Sequence, residues 1–176
     1  MYNNRFKDND EYKAKINSYR PLDKDIIKQI QEYYRIGLTY SSNAIEGNTL
    51  DLAETKVVLE DGLTISGKPM KDHLEAIGHA EAFNELLNLA KSGDITESAI
   101  KNLHKLFYEK IDSDNAGNYR KKSIIVTGSV FEFPKPDEIE SKMQEFVAKI
   151  AKSFSSDSKE TLNNTLRSQP NTAFKH

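Results

Sequence analysis

Apolar residues recur at helical spacing in four consecutive segments between residues 21 and 111, and no other feature constrains the fold as strongly. The first segment opens at Pro21 and is interrupted at Gly47, a residue suited to the left-handed turn that ends a helix. Its apolar side predicts one buried stripe, which consists of Ile26, Ile30, Tyr33, Gly37 and Leu38. The sequence therefore predicts a mainly α-helical bundle.

Three pairs of residues with the spacing of a capping box indicate where further helices begin. The pairs are Asp51 with Glu54, Asp94 with Glu97, and Asp137 with Glu140. A further helix is expected from Met70 to about Gly93.

The apolar pattern changes after residue 111. Three β-branched residues, Ile124, Ile125 and Val126, come directly before a turn sequence that begins at Thr127 and Gly128. A second apolar run follows this turn and is closed by two prolines. Two short apolar runs around a glycine-containing turn predict a small β-hairpin, after which the helical spacing resumes.

By composition the chain divides into three parts. Residues 1–20 are highly charged and predict a flexible N-terminal segment. Residues 21–152 carry the helical and hairpin patterns and are long enough for one domain with a core. Residues 153–176 are rich in Ser, Asn and Thr and predict an irregular polar tail.

Charge and composition argue against several classes of function. The formal net charge is −2, so no overall positive field attracts the chain to nucleic acid or to an anionic membrane. The chain contains no cysteine, which excludes disulfides and cysteine-ligated metal and fits a reducing compartment. No apolar run approaches the ~20 residues of a spanning helix. We therefore expect a cytoplasmic protein without nucleic-acid or membrane partners.

Few residues suggest catalysis or ligand binding by themselves. His73 and His79 are six residues apart on one predicted helix, so they do not share a face as two metal ligands would, and we expect no metal site. No glycine-rich phosphate-binding loop is present. Arg120 and Lys121 precede the predicted hairpin and are either part of a solvated turn or contacts to a phosphate or a partner.

One predicted helix end is unusual for its charge. Glu46 stands four residues after Ser42 and directly before Gly47, so a carboxylate lies at the negative end of the helix dipole. On composition alone this is an ordinary helix C-terminus. The functional interpretation is that Glu46 holds an arginine from elsewhere.

At these residues the sequence resembles the Fic family. The stretch from Ser42 to Gly47 is similar to the family's inhibitory motif, (Ser/Thr)-x-x-x-Glu-(Gly/Asn). Residues 20–50 resemble the inhibitory region of the subclass that carries this motif ahead of the Fic core, and residues 54–83 resemble the segment that follows. Residues 103–136 are similar to a helix, a Gly-x-Tyr-Arg turn and a flap hairpin, so the resemblance covers roughly residues 20–152.

The resemblance implies a Fic-like helical bundle with a small β-hairpin flap, and it implies a reaction. Fic enzymes usually transfer AMP from ATP, with Mg²⁺, to a Ser, Thr or Tyr hydroxyl of a target protein. By resemblance, Glu46 would form an ion pair with an arginine of the catalytic motif and so block the productive placement of ATP. Ser42 would help to fix the inhibitory helix, and Gly47 would end that helix. The flap, here about Ile124 to Phe133, would align the target hydroxyl by strand-like pairing.

The catalytic motif of the family, HPFx(D/E)GNGRxxR, does not occur in the 176 residues. We therefore expect a truncated Fic fold whose C-terminal part is missing, with no catalytic residue of its own and with open apolar faces that favour self-association. Two alternatives stay open: a binding module that supplies Glu46 in trans to another Fic chain, and a residual nucleotide-binding or transferase activity at an unrecognised site.

Overall fold

A computed structural model describes residues 2–92, 95–129 and 131–155 of the chain. These residues form six α-helices and one short 3-10 helix, Pro136–Glu138, and none of them lies in a β-strand. The mainly α-helical class predicted from the sequence is confirmed. The helices are α1 (Tyr2–Asn17), α2 (Lys24–Ile45), α3 (Leu52–Glu60), α4 (Met70–Ser92), α5 (Glu97–Tyr108) and α6 (Ile139–Ser155).

Helix α4 lies at the centre of the bundle and contacts α2, α3 and α5, while α6 packs on α5. The buried cluster beneath α3 and α4 consists of Leu50, Val58 and Ala76, with Ile65 and Ile77 packed against it. Helix α1 falls in the segment predicted to be flexible and contacts no other helix of the described residues. Most of the predicted polar tail lies outside the described residues.

Side-chain caps begin α2, α3 and α5. The Asp23 carboxylate accepts from the N–H of Asp25 at 2.8 Å. The predicted capping box of α3 is confirmed, because Asp51 and Glu54 each accept from the other's main-chain N–H at 2.8 Å. Helix α5 is capped by the Thr96 hydroxyl, and the predicted cap Asp94 lies outside the described residues.

The predicted start of α6 at Asp137 is wrong. Asp137 lies inside the 3-10 helix, and the main-chain N–H of Lys135 donates instead to the Glu138 carboxylate at 2.7 Å. The physical reason is Pro136, whose fixed φ suits the first position of a tight turn, so that the helical path is capped at Lys135, two residues before the predicted cap.

The predicted buried stripe of α2 is also wrong, because the helix buries a different face. Ile36, Thr39 and Asn43 are the buried residues of α2. The predicted stripe is exposed at its large side chains, with Tyr33 at 74%. The reason lies in α4, because the Thr39 hydroxyl and Nδ1 of His79 form a hydrogen bond of 2.9 Å that turns this more polar face inward.

The segment of residues 123–133, hereafter the flap, contains the predicted turn but no strand among its described residues. The N–H of Ser129 donates to the carbonyl of Val126 at 3.1 Å, which closes a turn around Thr127 and Gly128. Ile125 is 94% exposed, so no core covers this side of the segment. A short hairpin without a covering layer is only marginally stable in water, which explains why the turn occurs here without a ladder.

Candidate functional site

The end of α2 is fixed by main-chain hydrogen bonds to the last helical carbonyls. The carbonyl of Asn43 accepts from the N–H groups of Glu46 at 3.1 Å and Asn48 at 3.0 Å. Gly47 has a φ of +92°, as its predicted role at the helix end requires. Glu46 is exposed at this end, and Ser42 is half-buried one turn earlier.

The loop of residues 46–51, hereafter the anchored loop, is held to α4 by the side chain of Asn48. Its amide nitrogen donates to the carbonyl of Asp72 and to the carboxylate of Glu75, both at 3.0 Å. Its amide oxygen accepts from the N–H of Leu50 at 3.0 Å. One side chain thus ties the residues after Glu46 to the first turns of α4.

Asp72 holds the next residue of the anchored loop. The buried carboxylate of Asp72 accepts from the N–H of Thr49 at 2.8 Å and from its hydroxyl at 2.5 Å. Burial by itself would raise the pKa of Asp72, but the two hydrogen bonds from Thr49, together with smaller effects of neighbouring charges, lower it. The carboxylate is therefore ionised at neutral pH and works as a fixed acceptor.

His73 has a structural role next to Asp72. The N–H of Ile65 donates to its Nε2 at 2.8 Å, so the proton is assigned to Nδ1, which donates to the carbonyl of Pro69 at 2.9 Å. The ring is only 2% exposed, and both of its nitrogens are used. His73 is thus a buried link between the α3–α4 loop and α4.

Glu46 and Glu75 act together on Tyr108 at the end of α5. Burial raises the pKa of the Tyr108 phenol, and the negative charges of Glu75 and Glu46 raise it further, against the opposing effect of Lys71. Lys71 itself lies 3.4 Å from the Glu75 carboxylate. Two carboxylates at one end of the bundle make a negative region whose chemistry suits a guanidinium.

The His79 side chain of α4 contacts both α2 and α5. His79 meets the Phe107 ring edge to face at 6.0 Å between centroids and bonds Thr39 on its other side. Burial lowers the pKa of His79. The neutral ring is therefore favoured at neutral pH and serves as a packing and hydrogen-bonding element between the three helices.

The turn of residues 117–120 lies directly on α5. The N–H of Gly117 donates to Nδ1 of His104 at 2.8 Å. Gly117 has a φ of +73°, and a Cβ there would lie 2.9 Å from the Cβ of Lys105, so a larger residue does not fit. The Nζ of Lys101 lies 4.2 Å from the centre of the Tyr119 ring.

Arg120 follows this turn, and its guanidinium is directed at the flap. Nη1 donates to the carbonyl of Lys122 at 2.9 Å, and Nη2 donates to the carbonyl of Pro134. Lys121 is exposed beside it. The predicted contact of Arg120 and Lys121 to a phosphate or a partner stays a prediction, since the contacts of Arg120 lie within the chain.

The predicted flap residues differ in exposure. Ile124 and Val126 are half-buried, whereas Ile125, Thr127 and Gly128 are exposed. Further along, the rings of Phe131 and Phe133 meet edge to face at 5.5 Å between centroids. The exposed backbone near Ile125 is open to contact by another chain.

The described part of the chain contains no group of three or more acidic or histidine side chains arranged to hold a metal ion. Within the same residues, no helix has the length and apolar character needed to cross a membrane.

Sequence patterns identified the motif of α2 but not the residues that support it. Glu46 and Gly47 were predicted because a carboxylate and a glycine at a helix end are visible in one short stretch. Asp72 and Glu75 were missed because their partner Asn48 lies more than twenty residues earlier. The only signal for Asp72 was a charged residue in the first turn of α4, which is also where a helix favours one.

The chain is similar to parts of longer curated proteins. It is 33% identical to "Protein adenylyltransferase Fic" of Nematostella vectensis over 109 residues, which are 61% of this chain and 25% of that protein. It is 32% identical to the protein of the same name in Drosophila melanogaster over 108 residues, 61% of this chain and 22% of that protein. The chain thus matches about a quarter or less of the length of these relatives, and no family model matches it.

Two solved structures resemble the fold. A Fic domain containing signaling protein from Bacteroides thetaiotaomicron superposes with a TM-score of 0.70 at 27% identity, covering 79% of this chain and 54% of that one. Residues 134–508 of Fic-1 from C. elegans superpose with a TM-score of 0.62 at 26% identity, covering 76% of this chain and 39% of that one.

Proposed function

The chain belongs to the Fic family, and from this premise we propose that it forms the regulatory and target-docking part of a protein adenylyltransferase. In this role Glu46 restrains the transfer of AMP from ATP to a protein hydroxyl. The relatives that carry the name adenylyltransferase support the reaction class.

The observation that carries the proposal is the presentation of Glu46. Glu46 is exposed at the end of α2, while its own N–H bonds the carbonyl of Asn43 and the following Asn48 bonds both Asn43 and α4. Among the described residues, no lysine or arginine forms an ion pair with it. A carboxylate that is open to solvent and carried on a fixed main chain is suited to capture a guanidinium, because that ion pair depends strongly on geometry.

The flap supplies the second part of the proposed function. The backbone around Ile125 is exposed and makes no ladder of its own among the described residues. Exposed backbone without a ladder offers N–H and C=O groups to another chain, and β-strand addition is a common way to bind a segment of a protein. We propose that the flap binds the target segment in this way.

No HPFx(D/E)GNGRxxR motif occurs in the 176 residues, so we assign regulation and docking to them and propose that the chain alone does not transfer AMP. In the family, ATP and Mg²⁺ are bound through that motif. Incubation of the purified chain with labelled ATP and Mg²⁺ is expected to leave the chain and added lysate proteins unlabelled. Label on either would contradict this assignment and would favour an unrecognised site.

The inhibitory role of Glu46 can be tested in a hybrid enzyme. Residues of this chain replace the matched segment of the Nematostella vectensis relative, which supplies the remaining parts of the fold. Incorporation of AMP from labelled ATP is then measured for the hybrid and for its Glu46→Gln variant. Gln keeps the shape and loses the charge, so we expect incorporation to rise about tenfold or more, the effect of losing one charge-assisted pair.

Glu145→Gln is the matched control, because Glu145 is an exposed glutamate on α6. This change is expected to leave incorporation as it is. Equal incorporation by the Glu46→Gln variant and the unchanged hybrid, with both folded by circular dichroism, would rule out an inhibitory Glu46.

A further inference from the structure

Arg120 joins the two ends of the flap through its guanidinium. Its Nη1 and Nη2 donate to the carbonyls of Lys122 and Pro134, and these two residues stand directly before and after the flap. The side chain is half-buried, and its Nε is buried without a hydrogen-bond partner among the described residues. The guanidinium therefore lies beneath the flap and is not directed into solvent.

The other hydrogen bonds of the flap are local. Within the described residues, the N–H of Ser129 donates to the carbonyl of Val126, and the N–H of Phe131 donates to the Ser129 hydroxyl at 3.1 Å. Neither bond reaches another element. The orientation of the flap relative to the bundle is therefore determined largely by what joins its two ends.

Arg120 is itself fixed by α5. Gly117 bonds His104 and fits closely against Lys105, and Tyr119 packs beneath Lys101. The turn thus contacts α5 at two residues before the chain reaches Arg120. A continuous set of contacts runs from α5 through this turn and the guanidinium to both ends of the flap.

The bonds of Arg120 require an arginine. A guanidinium presents several N–H donors in one rigid plane, so it can bond two carbonyls at once in a fixed geometry. A lysine ammonium is a point charge on a flexible stem and has no such fork. Bonds from a charged donor are also stronger than those between neutral groups.

We propose that Arg120 is the positioning residue of the flap, which it holds on α5 so that the exposed backbone near Ile125 has one orientation toward the acceptor protein. This role rests on the proposed docking function of the flap. The guanidinium acts through the flap and does not contact ATP.

Spin labels test the positioning directly in the chain itself. The chain contains no cysteine, so Asn102→Cys on α5 and Thr127→Cys at the flap turn give two unique labelling sites, both exposed. Double electron–electron resonance then measures the distance distribution between α5 and the flap. We expect the distribution to broaden by about twofold in Arg120→Gln and in Arg120→Lys, because both variants lose the paired bonds.

Two controls make the result specific. Lys122→Gln removes a neighbouring charge but keeps the carbonyl that Arg120 uses, so the distribution is expected to stay narrow. A label pair between Asn102→Cys and Asn84→Cys, on α5 and α4, is expected to be unaffected by either Arg120 variant. A wild-type width in Arg120→Lys or Arg120→Gln, or equal broadening of the α4–α5 pair, would overturn the proposal.

The hybrid enzyme provides the functional measurement. In the Glu46→Gln hybrid, Arg120→Lys is expected to lower the rate of AMP incorporation into protein about tenfold while the ATP concentration for half-maximal rate stays unchanged. A change in ATP dependence would indicate general damage and would count against a positioning role. If the Glu46→Gln hybrid transfers no AMP at all, the proposed function fails, and the spin-label distances still decide whether Arg120 positions the flap.

Discussion

The anchored loop and the flap both project from the bundle, but they are held in opposite ways. In the anchored loop, Asn48 and Thr49 bond α4 through side-chain and main-chain groups, and Leu50 is only 4% exposed. In the flap, hydrogen bonds of the described residues stay local, Arg120 bonds the residues directly before and after it, and Ile125 is 94% exposed.

This difference matches what each region is proposed to do. An inhibitory carboxylate must keep its position, because an ion pair with a guanidinium weakens quickly when the geometry is wrong. A docking segment must remain open for another chain, and regions with few buried contacts are the ones that open or adapt at low free-energy cost. Changes that disturb the anchored side are therefore expected to cost more stability than changes in the flap.

The largest loss of stability is expected at the contact between α4 and α5. The anchored loop is bonded to the first of these helices, and the turn that leads to the flap lies on the second. Gly78 lies against α5, where a Cβ would come within 2.2 Å of the Phe107 carbonyl oxygen. Gly78→Ala must push the helices apart, and we expect the free energy of unfolding to fall by about 3 kcal/mol. Urea denaturation of the purified chain measures this value.

Gly37→Ala is the matched control, since Gly37 is also inside a helix but a Cβ added there would meet no atom within 4 Å. That change is expected to stabilise the chain by about 0.5–1 kcal/mol, because alanine is the better helix former. A similar loss in both variants would show that the close approach of α4 and α5 is not the cause.

The next effect concerns Asp72, which holds the anchored loop. Asp72→Ala leaves the N–H and the hydroxyl of Thr49 without their common acceptor, and we expect a loss of about 2 kcal/mol at pH 7. The pKa of Asp72 is lowered in the folded chain from its ordinary value of 3.8. Its stabilising contribution is therefore complete above that value and is lost as the pH falls through the folded-state pKa.

Urea denaturation at several pH values between 7 and 2 tests this dependence. The difference in stability between the original chain and Asp72→Ala is expected to shrink at acid pH, because protonation removes the same interaction in the original chain. Asp137→Ala, at an exposed aspartate, serves as the control. A difference that stays constant down to pH 2 would contradict an ionised, bonded Asp72.

The same contrast separates what sequence could and could not predict. Gly47, the capping box of α3 and the helical class were predictable because each depends on neighbouring residues. The buried face of α2 was not, because α2 is apolar on the side of Ile30 and Tyr33, whereas its packing against α3 and α4, which includes the bond between Thr39 and His79, buries the other side. Periodicity predicts that a helix has two faces, but its neighbours decide which one is buried.

The site shows the same limit. Glu46 could be proposed from its place at a helix end, whereas Asp72 and the role of Arg120 required knowledge of which carbonyls and amides lie nearby in space. The flap was predicted as a hairpin from its β-branched residues and its turn. Those residues favour strands only where neighbouring side chains pack against them, and Ile125 has almost no such packing.

The smallest effect is expected in the flap. Ile125→Ser removes a side chain that is almost fully exposed, so the free energy of unfolding is expected to change by less than about 0.5 kcal/mol. In the Glu46→Gln hybrid, the same change should still lower AMP incorporation if the acceptor protein covers Ile125 when it docks, because burial of that side chain contributes to binding only in the complex. A loss of stability comparable to that of Asp72→Ala would mean that the flap packs against the bundle, and the two regions would no longer differ in how they are held.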